Sequence, residues 1–231
     1  MNKTKIDWCD STVNPVVGCP NGCPYCYARK INNRFHYIEE WSEPQFFADR
    51  LKQFASEKPK SIFIDSMSDA GCWQYEWFKA VMDATQANPQ HNYILLTKKP
   101  DHLLAMKLQY LSKCTELALK NVYFGATITS TQAYKTGDTT LLKYMDFLSI
   151  EPLLAPIRQL DAVLRLGIIK TIIIGAETGN RKNKVTPKKE WVDDIVRVAD
   201  EYGQKVFMKE SLREIMGADF RQDRLIWEIA K

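Results

Sequence analysis

Short runs of β-branched and aromatic residues recur along this chain, each followed by a helical pattern, and that repeat limits the fold more than any other feature. The runs lie at 12–17, 61–65, 92–97, 121–127, 147–151, 171–175 and 205–209. Such near-continuous apolar segments are what parallel strands need when both sheet faces are covered. From the second run onward the unit returns about every 25–35 residues, the length of a strand–helix repeat joined by right-handed crossovers. In the clearest helix, Trp191, Ile195, Val198, Ala199 and Tyr202 share one face and Gly203 follows as a stop. These seven runs fall short of the eight strands of a closed barrel. The expected fold is therefore α/β: a partial (open) parallel (β/α) barrel of six to seven strands. No linker or low-complexity segment interrupts the pattern, so 1–231 reads as one domain, with 212–231 as a C-terminal helical cap.

In parallel α/β folds the active face lies at the C-terminal ends of the strands. Polar residues follow the apolar interiors there: 66–69 after the second run, 97–99 at the end of the third, 127–130 after the fourth. Glu151 ends the fifth, Glu177 follows the sixth, and Lys209 and Glu210 end the seventh. A merely solvated rim would not require Lys, Glu and Asp directly against the last apolar residue.

The loop after the first run holds Cys19, Cys23 and Cys26, spaced C-x-x-x-C-x-x-C, with Gly22 and two prolines between them. Fully ligated iron–sulfur clusters normally use four cysteines, and structural zinc also wants four ligands at paired short spacings. Three thiolates without an obvious fourth suit a cluster in which one iron stays open to a ligand. The alternative is a zinc site completed by Cys9 or His36, serving a non-enzymatic interaction module; the long gap from Cys9 to Cys19 fits zinc poorly. Cys9, Cys72 and Cys114 are scattered, so no auxiliary cluster and no secreted disulfide framework is expected, which favours a reducing cytosol and a cytoplasmic protein. The N-terminus lacks a signal-peptide pattern, and no apolar run reaches the length of a membrane span. A net charge of +4 is too small to imply a nucleic-acid partner by itself.

Several words surround the cysteines in order: Trp8, Asn14-Pro15-Val16, Gly18-Cys19, Ser66-Met67-Ser68-Asp69, Leu96-Thr97-Lys98-Lys99-Pro100, 148–153 and 175–179. With the aromatic Tyr25 before the third cysteine, the chain resembles the radical S-adenosylmethionine (radical SAM) superfamily. Within it, the words are similar to those of a phage- and bacterium-associated group distantly related to spore photoproduct lyase. The resemblance implies the same partial barrel and two cofactors, a 4Fe-4S cluster on Cys19, Cys23 and Cys26 and S-adenosyl-L-methionine (SAM) chelating the fourth iron. It further implies a one-electron reductant such as flavodoxin or ferredoxin. The reduced cluster would cleave SAM to a 5′-deoxyadenosyl radical that abstracts hydrogen from a substrate.

The resemblance also suggests roles for individual residues. Tyr25 would contact the SAM adenine, or else pack under the loop. Ser66 and Asp69 stand where the superfamily usually carries a Gly-Gly-Glu-like word for the SAM amino group. Lys98 is the candidate for the SAM carboxylate, with Lys99 facing solvent; Thr127 and Thr129 are candidates for the ribose hydroxyls. Glu151 and Glu177 either bind polar groups of cofactor or substrate or form structural ion pairs, because a carboxylate at the edge of an apolar strand seldom lacks a partner. Lys209 is a partner for one of them or a substrate contact. Cys72 is either a hydrogen-atom donor to a product radical, as a cysteine is in spore photoproduct lyase, or a small residue packed beside Trp73.

Three substrate classes stay open. Arg181, Lys182, Lys184, Lys188 and Lys189 crowd one loop without an acid between them, a pattern that tracks phosphates of a nucleic acid or nucleotide, or is simply solvated. A small metabolite or a peptide is the second class. The interaction module, with no substrate at all, is the third.

Overall fold

The computed structural model describes residues 2–114, 119–130, 139–165 and 168–229. They form two compact units, Met1–Tyr123 with Trp227–Lys231, and Phe124–Ile226.

The first unit opens with strands β1 (Asn2–Lys3), β2 (Ser11–Thr12) and β3 (Val16–Val17), followed by helix α1 (Tyr27–Phe35) and strand β4 (Gln45–Phe46). Strand β5 (Ser61–Phe63), helix α2 (Tyr75–Ala87), strand β6 (Asn92–Thr97) and helix α3 (Pro100–Leu111) complete it. β2 runs parallel to β5, and β5 to β6, whereas β1 is antiparallel to β2 and β3 pairs only with β4. The first apolar run, read from sequence as one strand, is thus broken in two. Pro15 has no amide to give a ladder. Asn14 uses its side chain elsewhere: Oδ1 accepts from Ser66 Oγ at 2.9 Å and from the Met67 amide at 3.0 Å.

Strand β7 (Val122–Thr127) leads into the second unit, which continues with β8 (Phe147–Ile150), α4 (Leu160–Leu164), β9 (Thr171–Ile174), α5 (Lys189–Glu201), β10 (Lys205–Met208) and α6 (Arg213–Met216). β7, β8, β9 and β10 pair in parallel in that order. The strands follow one linear order, β1-β2-β5-β6-β7-β8-β9-β10. From β2 onward this is the seven-stranded parallel α/β pattern that the repeat predicts. Every residue of β8 and β9 is buried, as strands covered on both faces must be. In α5, Val192, Ile195, Val198 and Ala199 turn inward, and Gly203 follows with φ +71°.

The stretch read as a helical cap departs from expectation. Only Arg213–Met216 is α-helical; short 3-10 turns flank it, Gln222 bridges Phe207, and residues 230–231 lie outside the described residues. Trp227 belongs to the first unit. Its fully buried indole donates to the Trp8 carbonyl at 2.8 Å, and its own carbonyl accepts from Ser61 Oγ and Asn92 Nδ2, each at 2.8 Å. Cys114 lies past the end of α3 and is exposed; the residues after it, 115–118, lie outside the described residues. No helix among the described residues is long and apolar enough to cross a membrane.

Candidate functional site

The cysteine loop leaves β3 through Gly18, whose φ of +108° only glycine adopts readily. A Cβ there would also stand 2.8 Å from Ile38 Cδ1, 2.9 Å from Pro44 Cα and 3.0 Å from the Trp41 carbonyl. The close approach lets Gly18 N donate to the Met67 carbonyl (3.0 Å) and Cys19 N to the Trp41 carbonyl (2.8 Å). Gly22, with φ +63°, forms the exposed tip. The loop closes where Cys26 N donates to the Cys23 carbonyl (3.2 Å), and Cys26 Sγ then caps α1 by accepting from Arg29 N (3.3 Å). The Arg29 guanidinium donates back to the Cys23 carbonyl at 3.1 Å. Beneath lie Val17, Ala28, Ile38, Trp41 and Met67, against which Cys19 and Cys26 pack.

All three loop thiols are free and half-buried. Burial pushes the Cys23 thiol up; the Lys98 charge and a hydrogen bond with Tyr25 oppose this, while Cys19 and Cys26 add to it. Cys23 therefore feels both of its partners, one lysine and one phenol. The Cys19 and Cys72 sulfurs lie within 4.8 Å of each other. Their mutual interaction, then burial, pushes the Cys19 thiol up; the same interaction, helped by Lys99, pulls the Cys72 thiol down against burial and Asp69. Cys72 also reaches Asn21 Oδ1 at 3.5 Å. Among the described residues, Cys19, Asp69 and Cys72 form a group whose ligand atoms lie within 4.8 Å of one another; Cys23, Cys26, Cys9 and His36 are not in it. Thiolates on three different irons of a cubane are held apart by its width, so such close contact among the loop thiols is not what a cluster needs.

Asp69 fixes this arrangement. Its buried carboxylate accepts from Asn21 Nδ2 (2.6 Å), Gly71 N (3.0 Å), Lys98 N (2.9 Å) and Thr97 Oγ1. Both oxygens are thus taken by internal donors, which places Asp69 as a bracket between the loop and the ends of two strands. Lys98 is exposed beside Cys23, whereas Lys99, expected to face solvent, is half-buried against Cys72. Ser66 is half-buried, and its carbonyl accepts from the Tyr27 hydroxyl at 2.8 Å. Three residues that were assigned no role from the sequence also matter here: Asn14, Asn21 and Asp65. Asp65 is fully buried beside Asp69, accepts from Ala70 N at 3.0 Å and from Leu96 N, and burial holds its carboxyl well above the usual range. Its signal was visible: it ends an apolar run, as Glu151 does.

The second unit carries the other expected residues. Glu151 receives Lys209 Nζ at 2.7 Å and Ser149 Oγ at 2.9 Å. Gly175 makes room for this pair, since a Cβ there would stand 3.0 Å from Lys209 Cδ and 3.1 Å from Glu151 Oε1. Buried Glu177 takes a two-pronged contact from Arg181, 2.6 Å from Nε and 2.7 Å from Nη2, which holds its carboxyl below the usual range. Of the two roles left open for these glutamates and Lys209, the ion pairs are what the structure displays. Thr127 is buried at the end of β7, and the half-buried Thr129 offers its carbonyl to Leu154 N at 2.9 Å. The basic loop is partly neutralised from outside its own sequence window: Arg181 by Glu177, and Lys189 by Asp193 and Asp219, each at 2.8 Å. Lys182, Lys184 and Lys188 are exposed and form no ion pair among the described residues.

No curated protein and no solved structure matches this chain. One family model does, over residues 3–215, nearly the whole length on which both sets of residues lie. The chain belongs to the family described as "Protein of unknown function (DUF5131)".

Proposed function

We propose that this chain is an enzyme of the radical SAM kind, with Cys19, Cys23 and Cys26 as the ligands of a 4Fe-4S cluster. The observation that carries this reading is the gathering of three free, half-buried thiols in one glycine-shaped loop, with Cys19 and Cys26 both acting on Cys23. The donor set fits. All three are soft sulfur ligands, no disulfide consumes them, and no other described Cys, His or carboxylate joins Cys23 or Cys26 in a close group of the kind a single zinc ion needs. When bound, the cluster supplies the electron that cleaves SAM and so starts hydrogen abstraction from a substrate.

The chain's own residues then hold and orient. Gly18 and the apolar floor of Ile38, Trp41 and Met67 keep water from one side of the loop. Tyr25 and Lys98 stand at Cys23, where a hydroxyl and an ammonium stabilise a thiolate and attract an anionic ligand group. Asp69 and Asn21 fix the loop to the strand ends. The linear order of seven strands supports a radical SAM-like partial barrel. The substrate reading favoured by Lys182, Lys184 and Lys188 is a nucleic acid or nucleotide.

Anaerobic reconstitution with iron and sulfide, followed by dithionite and SAM, tests the reading. The expected result is about four irons per chain and formation of methionine with 5′-deoxyadenosine. A colourless chain that holds one zinc and leaves SAM intact would overturn it.

A further inference from the structure

We propose that Cys19 and Cys72 form a redox-active dithiol that takes low-molecular-weight disulfides such as oxidised glutathione as its substrate. The two sulfurs lie within 4.8 Å of each other, are both half-buried, and come from different segments, one from the cysteine loop and one from the 3-10 turn Ala70–Cys72 after β5. Their approach is not left to chance. Asn21, two residues past Cys19, donates to Asp69 and receives the Cys72 thiol, so one amide and one carboxylate hold both segments. Asp69 Oδ1 also accepts from Gly71 N, fixing the backbone next to Cys72. Asp69 is already hydrogen-bonded through both oxygens, so the trio it forms with the two sulfurs is better suited to closing a bond of about 2.05 Å between them than to ligating an ion.

The exchange balances without further reagents. One of the two sulfurs, as thiolate, attacks a sulfur of oxidised glutathione and expels a glutathione thiolate. The other releases its proton to water and attacks the mixed disulfide, expelling the second glutathione thiolate. Two protein thiols are oxidised to one disulfide, and one glutathione disulfide is reduced to two thiols. The proposal rests on the cluster reading in one respect: the bridge would withdraw Cys19, and with it one cluster ligand, until a thiol reductant reopened it.

The test uses the full chain, stripped of metal with a chelator, reduced, and then exposed anaerobically to oxidised glutathione. Non-reducing digestion with tandem mass spectrometry should find one dominant cross-link, Cys19 to Cys72. Cys72→Ser and Cys72→Ala should both lose it, and Cys23→Ser should keep it. Glutathione adducts without a cross-link, or cross-links spread among Cys19, Cys23 and Cys26, would overturn the dithiol. Iron uptake is read separately: it should be lost in the oxidised wild type, restored by dithiothreitol, and unaffected by oxidised glutathione in Cys72→Ser. Peptide mapping needs no iron. A cross-link accompanied by full iron uptake would therefore sink the ligand role of Cys19 while leaving the dithiol intact.

Discussion

Asn21 Nδ2 donates to Asp69 Oδ2 across 2.6 Å, tying the middle of the cysteine loop to the turn that follows β5. Removing the carboxylate would leave the Asn21, Thr97 and Lys98 donors without this acceptor. Asp69→Ala is expected to cost about 1–3 kcal/mol for each buried donor left unpaired, read as a lower urea midpoint, together with weaker iron retention. An unchanged midpoint would show that solvent satisfies these donors.

The two loop glycines should respond differently. Gly22→Ala meets open space and bears only the left-handed backbone cost of roughly 1–2 kcal/mol. Gly18→Ala adds contacts of 2.8–3.0 Å with Ile38, Pro44 and Trp41, so its loss should be larger by thermal unfolding. Equal losses would mean that the floor under the loop yields.

Cys19→Ala, Cys23→Ala and Cys26→Ala should each remove most of the iron from reconstituted protein, whereas Cys9→Ala and Cys72→Ser should not. Iron content and the visible absorption band of the cluster decide this. Loss of the metal in Cys9→Ala would point to zinc-like ligation instead.

Glu177 gives a pH signature. Its carboxyl sits below the ordinary value of 4.5 because Arg181 holds the charged form. The stability it adds is fully present above that value and disappears as pH falls through the lowered one. The gap in unfolding free energy between wild type and Glu177→Gln should thus be widest near neutral pH and shrink as the solution is acidified below 4.5. A gap independent of pH would assign the loss to packing alone.

Arg181 and its lysine neighbours should separate. Arg181→Ala leaves Glu177 buried without its partner and should lower stability. Lys182→Gln with Lys184→Gln should change stability by less than about 0.5 kcal/mol. If the loop meets a phosphate backbone, that pair lowers the salt slope of nucleic-acid binding by about two contacts' worth. An unaltered slope would leave these lysines to solvent.

The later strands were legible because Asn92–Thr97, Val122–Thr127 and Thr171–Ile174 are unbroken apolar runs, and period alone finds such strands. The run at 12–17 looked the same, yet Asn14 spends its side chain on Ser66 and Met67, a long-range bond that no local pattern encodes. The cysteine spacing marked the loop. Asn21, which ties it to Asp69, is a single polar side chain whose partner lies in another segment. Asp219, one of the two acids that neutralise Lys189, was invisible for the same reason, whereas Asp193 is its local neighbour one helical turn onward in α5.

Trp227 sets an order of events during synthesis. The unit that carries Cys19, Cys23 and Cys26 is otherwise made of residues from the first half of the chain, and N-terminal parts commonly fold first as they emerge. Here the Ser61 hydroxyl, the Asn92 amide group and the Trp8 carbonyl all bond to Trp227. The unit that holds the cysteine loop is therefore finished only when Trp227, far downstream in the chain, has been made. A nascent chain arrested before residue 227 would carry all three cysteines in an incomplete unit.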